Sequence, residues 1–193
     1  MGTTLQGSVG SLSARELRRS DIDLVAEYWA TATPEHLIGM GVDLAKMPTR
    51  TDYIDLLTSQ LDLALQDRQS YCTIWELDEK PIGHCNVNRI SFGDQAYMHL
   101  HLWEPRIRHQ GLGVSLVRSS LALFFGELNL RNLFCEPYAK NPAPNRVLEK
   151  VGFEFVATYR TVPGPINFEQ DVNRWHMSRA RYESFVQQGA WAL

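Results

Sequence analysis

Arg108-His109-Gln110-Gly111-Leu112-Gly113 is the stretch on which the reading of this 193-residue chain turns. An extended apolar segment precedes it, and a segment with helical spacing of its apolar residues begins near Val114. A strand that enters a glycine-containing loop and then a helix leaves several backbone N–H groups unpaired and aimed at one point. Those donors, the positive end of the helix dipole and Arg108 beside them together suit a pyrophosphate. Glycine at positions 111 and 113 removes the Cβ atoms that would hold such a group away from the backbone.

Working outward, residues 71–77, 81–90 and 96–103 read as three successive strands. Asp78-Glu79-Lys80 and Phe92-Gly93-Asp94 join them, and loops this short make an antiparallel meander. Further upstream a strand spans residues 12–17, and Ser20 and Asp21 cap a helix that carries Leu24, Val25, Tyr28 and Trp29. Pro34 opens a second short helix, and Tyr53, Ile54, Leu57, Leu61 and Leu65 recur at helical spacing to about Gln66. Downstream, the spacing predicts a helix over 113–128, a strand over 132–136, a helix over 144–151 ending at Gly152, and strands over 153–161 and 173–179. This order predicts an α/β (α+β) fold with one mixed sheet and neither repeats nor a second domain.

A net charge of -3 gives no basic footprint for nucleic acid or an anionic membrane, so neither is expected as a partner. Cys72, Cys85 and Cys135 are odd in number, widely spaced and set among apolar residues, which suits buried thiols in a reducing compartment. The first ten residues show no leader pattern, and no apolar run is long enough to cross a bilayer. A cytoplasmic protein with a flexible tail over 1–11 is expected.

Three pieces now carry a resemblance. RHQGLG resembles the R/Q-x-x-G-x-G/A pyrophosphate loop of the GNAT superfamily of acyl-coenzyme A dependent N-acyltransferases, with Pro105 in the preceding turn. NPAPNRVLEKVGF, residues 141–153, is similar to the N-x-x-S-x-R-x-L-E-K-x-G-F helix of the ribosomal-protein acetyltransferase-like branch, with Pro144 where that branch commonly has Ser. The strand ending Leu102-Trp103 stands where such proteins bulge and expose backbone to the pantetheine arm. The resemblance implies a single N-acetyltransferase domain over 12–193, with a mostly antiparallel sheet, flanking helices and a splay between the fourth and fifth strands. It implies acetyl-CoA as cosubstrate and no metal. It also assigns cofactor binding to Leu102, Trp103, Arg108, His109, Gln110, Gly111, Leu112, Gly113 and Asn141.

Amide formation sets the remaining requirements. A lysine-like amine of pKa ~10.4 is almost wholly protonated at neutral pH, so the protein must supply a proton acceptor or a desolvating pocket. Alternate residues of a strand share a face, which groups Tyr97, His99, His101 and Trp103. His99 is the first candidate base, because it falls where arylalkylamine and siderophore acyltransferases place a strand histidine; His101 is its neighbour on that face. Glu136 matches by spacing the glutamate base of amino-terminal alanine acetyltransferases, whose tyrosine acid is replaced here by Leu148. Tyr138, water or unaided thiolate departure then fills the acid's role.

On the neighbouring strand His84, Asn86 and Asn88 share one face and form a candidate wall for the substrate. His84, His99 and His101 can in principle offer three imidazoles to zinc, but the motif contains no carboxylate or thiolate partner. The expected acceptor is a small-molecule amine or an amino group of a larger molecule, the chain being a monomer or homodimer. Two alternatives stay open: a siderophore-type acyltransferase acting on a hydroxylated lysine side chain, and a noncatalytic acyl-CoA binding module.

Overall fold

A computed structural model describes residues 10–107 and 111–191. One seven-stranded sheet organises them in the spatial order β1-β2-β3-β4-β5-β7-β6. The strands are β1 (Leu12–Glu16), β2 (Ser70–Leu77), β3 (Lys80–Ser91), β4 (Gln95–Leu102), β5 (Asn132–Cys135), β6 (Glu154–Thr161) and β7 (Gln170–Ser178). Every neighbouring pair is antiparallel except β4 and β5. That parallel pair requires a crossover, which helix α4 (Leu112–Glu127) provides.

Helices α1 (Ile22–Thr31), α2 (Pro34–Gly39) and α3 (Arg50–Asp62) fill the connection between β1 and β2. Thr49 and Asp52 begin α3 with a reciprocal capping box. That helix stops at Asp62, short of the expected Gln66, and residues 65–67 form a separate 3-10 turn. Helix α5 (Pro142–Val151) starts two residues before the expected Pro144, because Asn141 Oδ1 accepts from the Ala143 amide at 3.3 Å. Pro142 costs nothing there, since its missing N–H belongs to the first turn. Strand β7 likewise starts at Gln170 rather than Asn173.

Strand alternation divides the core in two. Trp75, Cys85, Val87 and Met98 face α4 and α5, where they meet Leu116, Phe124, Phe125 and Leu148. Cys72 and Ile74 face the other way, toward Val25, Tyr28 and Trp29 of α1. One polar group crosses the first interface: buried Ser120 of α4 accepts from Trp75 Nε1 at 2.8 Å and shares a hydrogen bond with Thr73 Oγ1 at 3.0 Å. The C-terminal segment forms α6 (Arg179–Gln187). Tyr182 stacks on Phe125 of α4 at 4.6 Å, and Trp191 stacks on Phe185 at 5.1 Å.

Ser120→Ala removes the acceptor of the buried Trp75 indole N–H. We expect a loss of about 1–3 kcal/mol in stability, the cost of stranding a buried donor, measurable by urea denaturation.

Candidate active site

The ladder between β4 and β5 runs only through Gln95↔Asn132, Ala96↔Leu133 and Tyr97↔Phe134. Beyond Tyr97, β4 stays paired with β3 as far as Gly83↔Leu102, and Trp103 N–H continues onto Ile82 O at 2.9 Å. The chain after β5 goes with β7 instead: Asn173 N–H donates to Pro137 O at 3.1 Å and Ala139 N–H to Asp171 O at 2.8 Å. Backbone alternation thus turns the Pro137 main chain toward β7 rather than β4. The Met98 carbonyl, next acceptor along the ladder, takes the Cys135 thiol at 3.0 Å. The two strands therefore part, and backbone alternation turns the Leu100 N–H toward the gap.

The expected bulge at Leu102-Trp103 is absent, since β3 and β4 stay in register there. The register shift lies at the far end, between Asn88 and Ser91, where Arg89 has φ 49°. Splaying, not bulging, is what bares the backbone. Gly83 matters to the same region, because a Cβ there would lie 2.4 Å from His101 O.

The gap widens into a cleft of about 800 Å³. Its walls include His99, Leu100, His101 and Leu102 of β4, Glu136 and Tyr138 after β5, and Gly111, Leu112 and Gly113 at the start of α4. Gly111 is the N-cap of α4 with φ 80°, a left-handed conformation that favours glycine, and it offers no side chain to the first-turn amides. Gly113 lets α4 approach α5, where an added Cβ would meet Val147 Cγ2 at 3.2 Å. Asn141, Arg146 and Lys150 also line the cleft, from α5 and its cap. The sequence reading missed the last two, although their i, i+4 spacing on a helix was visible. Arg108, His109 and Gln110 lie outside the described residues.

The candidate bases occupy different settings. His99 lines the cleft, and its Nε2 is buried without a hydrogen-bond partner. Burial, aided by the charge of Arg89, lowers its pKa to about 4, so the ring is neutral at neutral pH. His101 also lines the cleft, with Nδ1 3.4 Å from Tyr28 Oη. Glu136 is tied from behind: Tyr159 Oη donates to its Oε1, and Arg174 Nε lies 3.6 Å from the same oxygen. Arg174 in turn donates to Tyr97 Oη at 3.1 Å and lies over the Phe134 ring. Leu148 is fully buried in the core.

His84, Asn86 and Asn88 do share a face with the β4 histidines, as the pairs His84↔His101 and Asn86↔His99 show. None of the three lines the cleft. His84 is buried, stacked on His101 at 4.6 Å, and its Nδ1 accepts from Trp103 Nε1 at 2.8 Å. Helix α1 covers His84 with Tyr28 and Trp29, which keeps that side chain from the cleft. Trp103 thereby commits its indole N–H to His84 and its main-chain N–H to Ile82. Burial, with a smaller contribution from His99, brings the pKa of His84 down to about 3. The imidazoles of His84 and His101 stack within 23° of parallel rather than converging on a point, and no group of three metal-ligating side chains is assembled among the described residues. What α1 and α2 bring to the cleft, and sequence reasoning missed, is Tyr28, Glu35, His36 and Met40. No periodicity could announce them, because they face a strand that lies far away in sequence.

A family model described as an acetyltransferase (GNAT) domain matches residues 12–154. The chain belongs to the GNAT acetyltransferase family. Its members are CoA-dependent N-acetyltransferases that act on amines, and acetyl-CoA is the cosubstrate. Among solved structures, spermidine N-acetyltransferase from Vibrio cholerae, in complex with CoA and spermine, has a TM-score of 0.72 at 18% identity, with 89% of this chain and 98% of that one covered. The aminoglycoside acetyltransferase AAC(6')-Ib, in complex with CoA and kanamycin, has a TM-score of 0.69 at 20% identity, covering 90% and 98%. The ribosomal L7/L12 alpha-N-protein acetyltransferase in complex with CoA has a TM-score of 0.71 at 13% identity, covering 89% and 96%. No curated protein matches the chain by sequence. At these identities the likeness is one of fold. Membership in an enzyme family replaces the alternative of a noncatalytic binding module.

His84 and His99 stay neutral in the fold, whereas an unfolded histidine protonates near pH ~6.5. Below pH 6.5 the unfolded chain therefore binds more protons, and the stability present above that pH is lost as pH falls toward about 4. Urea denaturation between pH 7.5 and 4.5 should show this decline, and His99→Gln should make it shallower. An equal slope in the variant contradicts a buried neutral His99.

Proposed function

We propose that this protein transfers the acetyl group of acetyl-CoA to an amine by direct attack in a ternary complex, within the cleft between β4 and β5. The observation that carries the reading is the parted ladder, because it sets the Leu100 N–H and the β4 histidines in one cavity that opens onto the glycine start of α4. The volume of about 800 Å³ is within the ordinary range for a bound cofactor-sized molecule. In this reading the amides of Gly111, Leu112 and Gly113 take the phosphates, assisted by Arg146 and Lys150. Leu100, Leu102 and Asn141 serve the pantetheine side.

The cosubstrate supplies an electrophilic thioester carbonyl and a thiolate leaving group. The rest falls to the chain. Main-chain donors on the gap side of β4 polarise the carbonyl and hold the oxyanion as the C–N bond forms. An imidazole on β4 accepts the proton that the amine must lose. Glu136, already bonded by Tyr159 and Arg174, acts as an anchor and a negative charge beside the cleft rather than as the base. With Leu148 in the core, Tyr138 is the cleft hydroxyl assigned to the departing thiolate, whose pKa of ~8.5 already makes it a fair leaving group. The exposed carboxylate of Glu35 favours a cationic acceptor. A cytoplasmic setting fits the three buried free thiols.

Thiol release from acetyl-CoA, measured with spermidine, kanamycin, a peptide with a free amino terminus and N-hydroxylysine, tests the reading. We expect release that depends on at least one amine, with a matching acetylated product. Binding of acetyl-CoA without transfer to any of them overturns it. Replacing both Arg146 and Lys150 by alanine should raise the KM for acetyl-CoA about tenfold or more, the worth of lost charge-assisted phosphate contacts, and leave kcat nearly unchanged.

A further inference from the structure

Tyr28 is the point where three elements meet on the acceptor side of the cleft. Its Oη lies 3.1 Å from His36 Nε2 on α2 and 3.4 Å from His101 Nδ1 on β4. All three side chains line the cleft. A phenol oxygen can donate one hydrogen bond while accepting another, so it can bridge the protonated ring nitrogen of one imidazole and the unprotonated ring nitrogen of the other. The alignment is held from several sides. Trp29 packs against the His101 ring at 4.9 Å, His84 stacks on it at 4.6 Å, and the Tyr28 ring lies edge-on to His84 at 5.6 Å. His84 itself is fixed by the Trp103 indole N–H on its Nδ1.

We propose that His101 is the general base and that Tyr28 and His36 form the relay that carries its proton from the cleft to solvent. This rests on the acetyltransferase reading above and deepens it. As the amine attacks, its N–H proton passes to His101 Nε2. The proton on His101 Nδ1 moves to Tyr28 Oη, and the Tyr28 hydroxyl proton moves to His36 Nε2. One proton has left the amine, His101 and Tyr28 end neutral, and partly exposed His36 carries the extra proton until water takes it. The C–N bond forms and the C–S bond breaks in the same transfer, and the thiolate acquires its own proton separately.

His99 has no such exit. Its Nε2 is buried without a partner, so a proton taken there would be held in a low-dielectric site. The other ionisable groups around the relay are His84 on β3, His99 on β4, Glu35 on α2 and Tyr53 on α3. His84 stays neutral at working pH and so does not repel a transient imidazolium on His101.

Two readouts test this. The first uses ring-nitrogen NMR of the histidines in the wild type and in Tyr28→Phe, without any acceptor. Protonation of His36 should shift the His101 Nδ1 resonance in the wild type, and Tyr28→Phe should abolish that coupling. The second is kinetic, with whichever amine the wild type acetylates. His101→Gln should lose about 100-fold or more in kcat, Tyr28→Phe and His36→Ala about tenfold, with the KM for acetyl-CoA unchanged. Added imidazole should restore His36→Ala, a recovery that a purely structural role would not allow. Thermal melts of the variants confirm that they fold. Independent titration of His36 and His101 in the wild type overturns the relay, as does wild-type kcat and pH profile in Tyr28→Phe and His36→Ala. If no amine is acetylated, the acetyltransferase reading fails, and the NMR coupling still decides the relay.

Discussion

The structure depends on a single failure of strand pairing. After Tyr97 and Phe134 the ladder between β5 and β4 ends: the Cys135 thiol occupies the Met98 carbonyl, and Pro137 and Ala139 are bonded to β7. A sheet that paired to its end would have buried the Leu100 main chain in a ladder and left no cavity. Because β4 remains paired with β3 from Tyr97 to Leu102 on its other side, the exposed backbone is held rigid while it is bare. That combination is what an oxyanion site needs, since donors that do not have to reorganise stabilise developing charge most effectively.

The two faces of the sheet divide the work. On one, α4 and α5 pack a largely apolar core and Ser120 ties α4 to β2, so the helix start that faces the cleft is fixed by the same contacts that stabilise the fold. On the other, α1 lays the rings of Tyr28 and Trp29 over His84 of β3 and His101 of β4. Burial there has opposite consequences for neighbouring residues. It removes His84 from the cleft and makes it a neutral spacer, while His101, one strand over, keeps an edge on the cavity and a hydrogen bond to Tyr28. Glu136 is held from behind the cleft in a similar way, because Tyr159 and Arg174 both engage its Oε1.

Element order was readable in the chain because helical and strand periods alternate clearly and the turns carry their own chemistry. Pro142 escaped as a helix start because the capping role of Asn141 competes with its place in a family pattern. Helix α6 escaped because its exposed side is polar and only Tyr182 and Phe185 mark its buried stripe. At the cleft, residues contributed by one continuous motif or one strand face were legible, as Gly111, Gly113, His99 and His101 illustrate. The polar row of His84, Asn86 and Asn88 was legible as a face, but not the layer of α1 that covers His84. Tyr28 and His36 were invisible for the same reason: only the packing of distant elements brings them to β4.

The account stands most directly on the Leu100 amide. Its hydrogen exchange, followed by NMR with and without coenzyme A, reports whether the bared edge of β4 is where the cosubstrate lies. Fast exchange in the free protein and marked slowing when coenzyme A is added is the predicted result. An amide already protected in the free protein, or one whose exchange coenzyme A leaves unchanged at saturation, would contradict it.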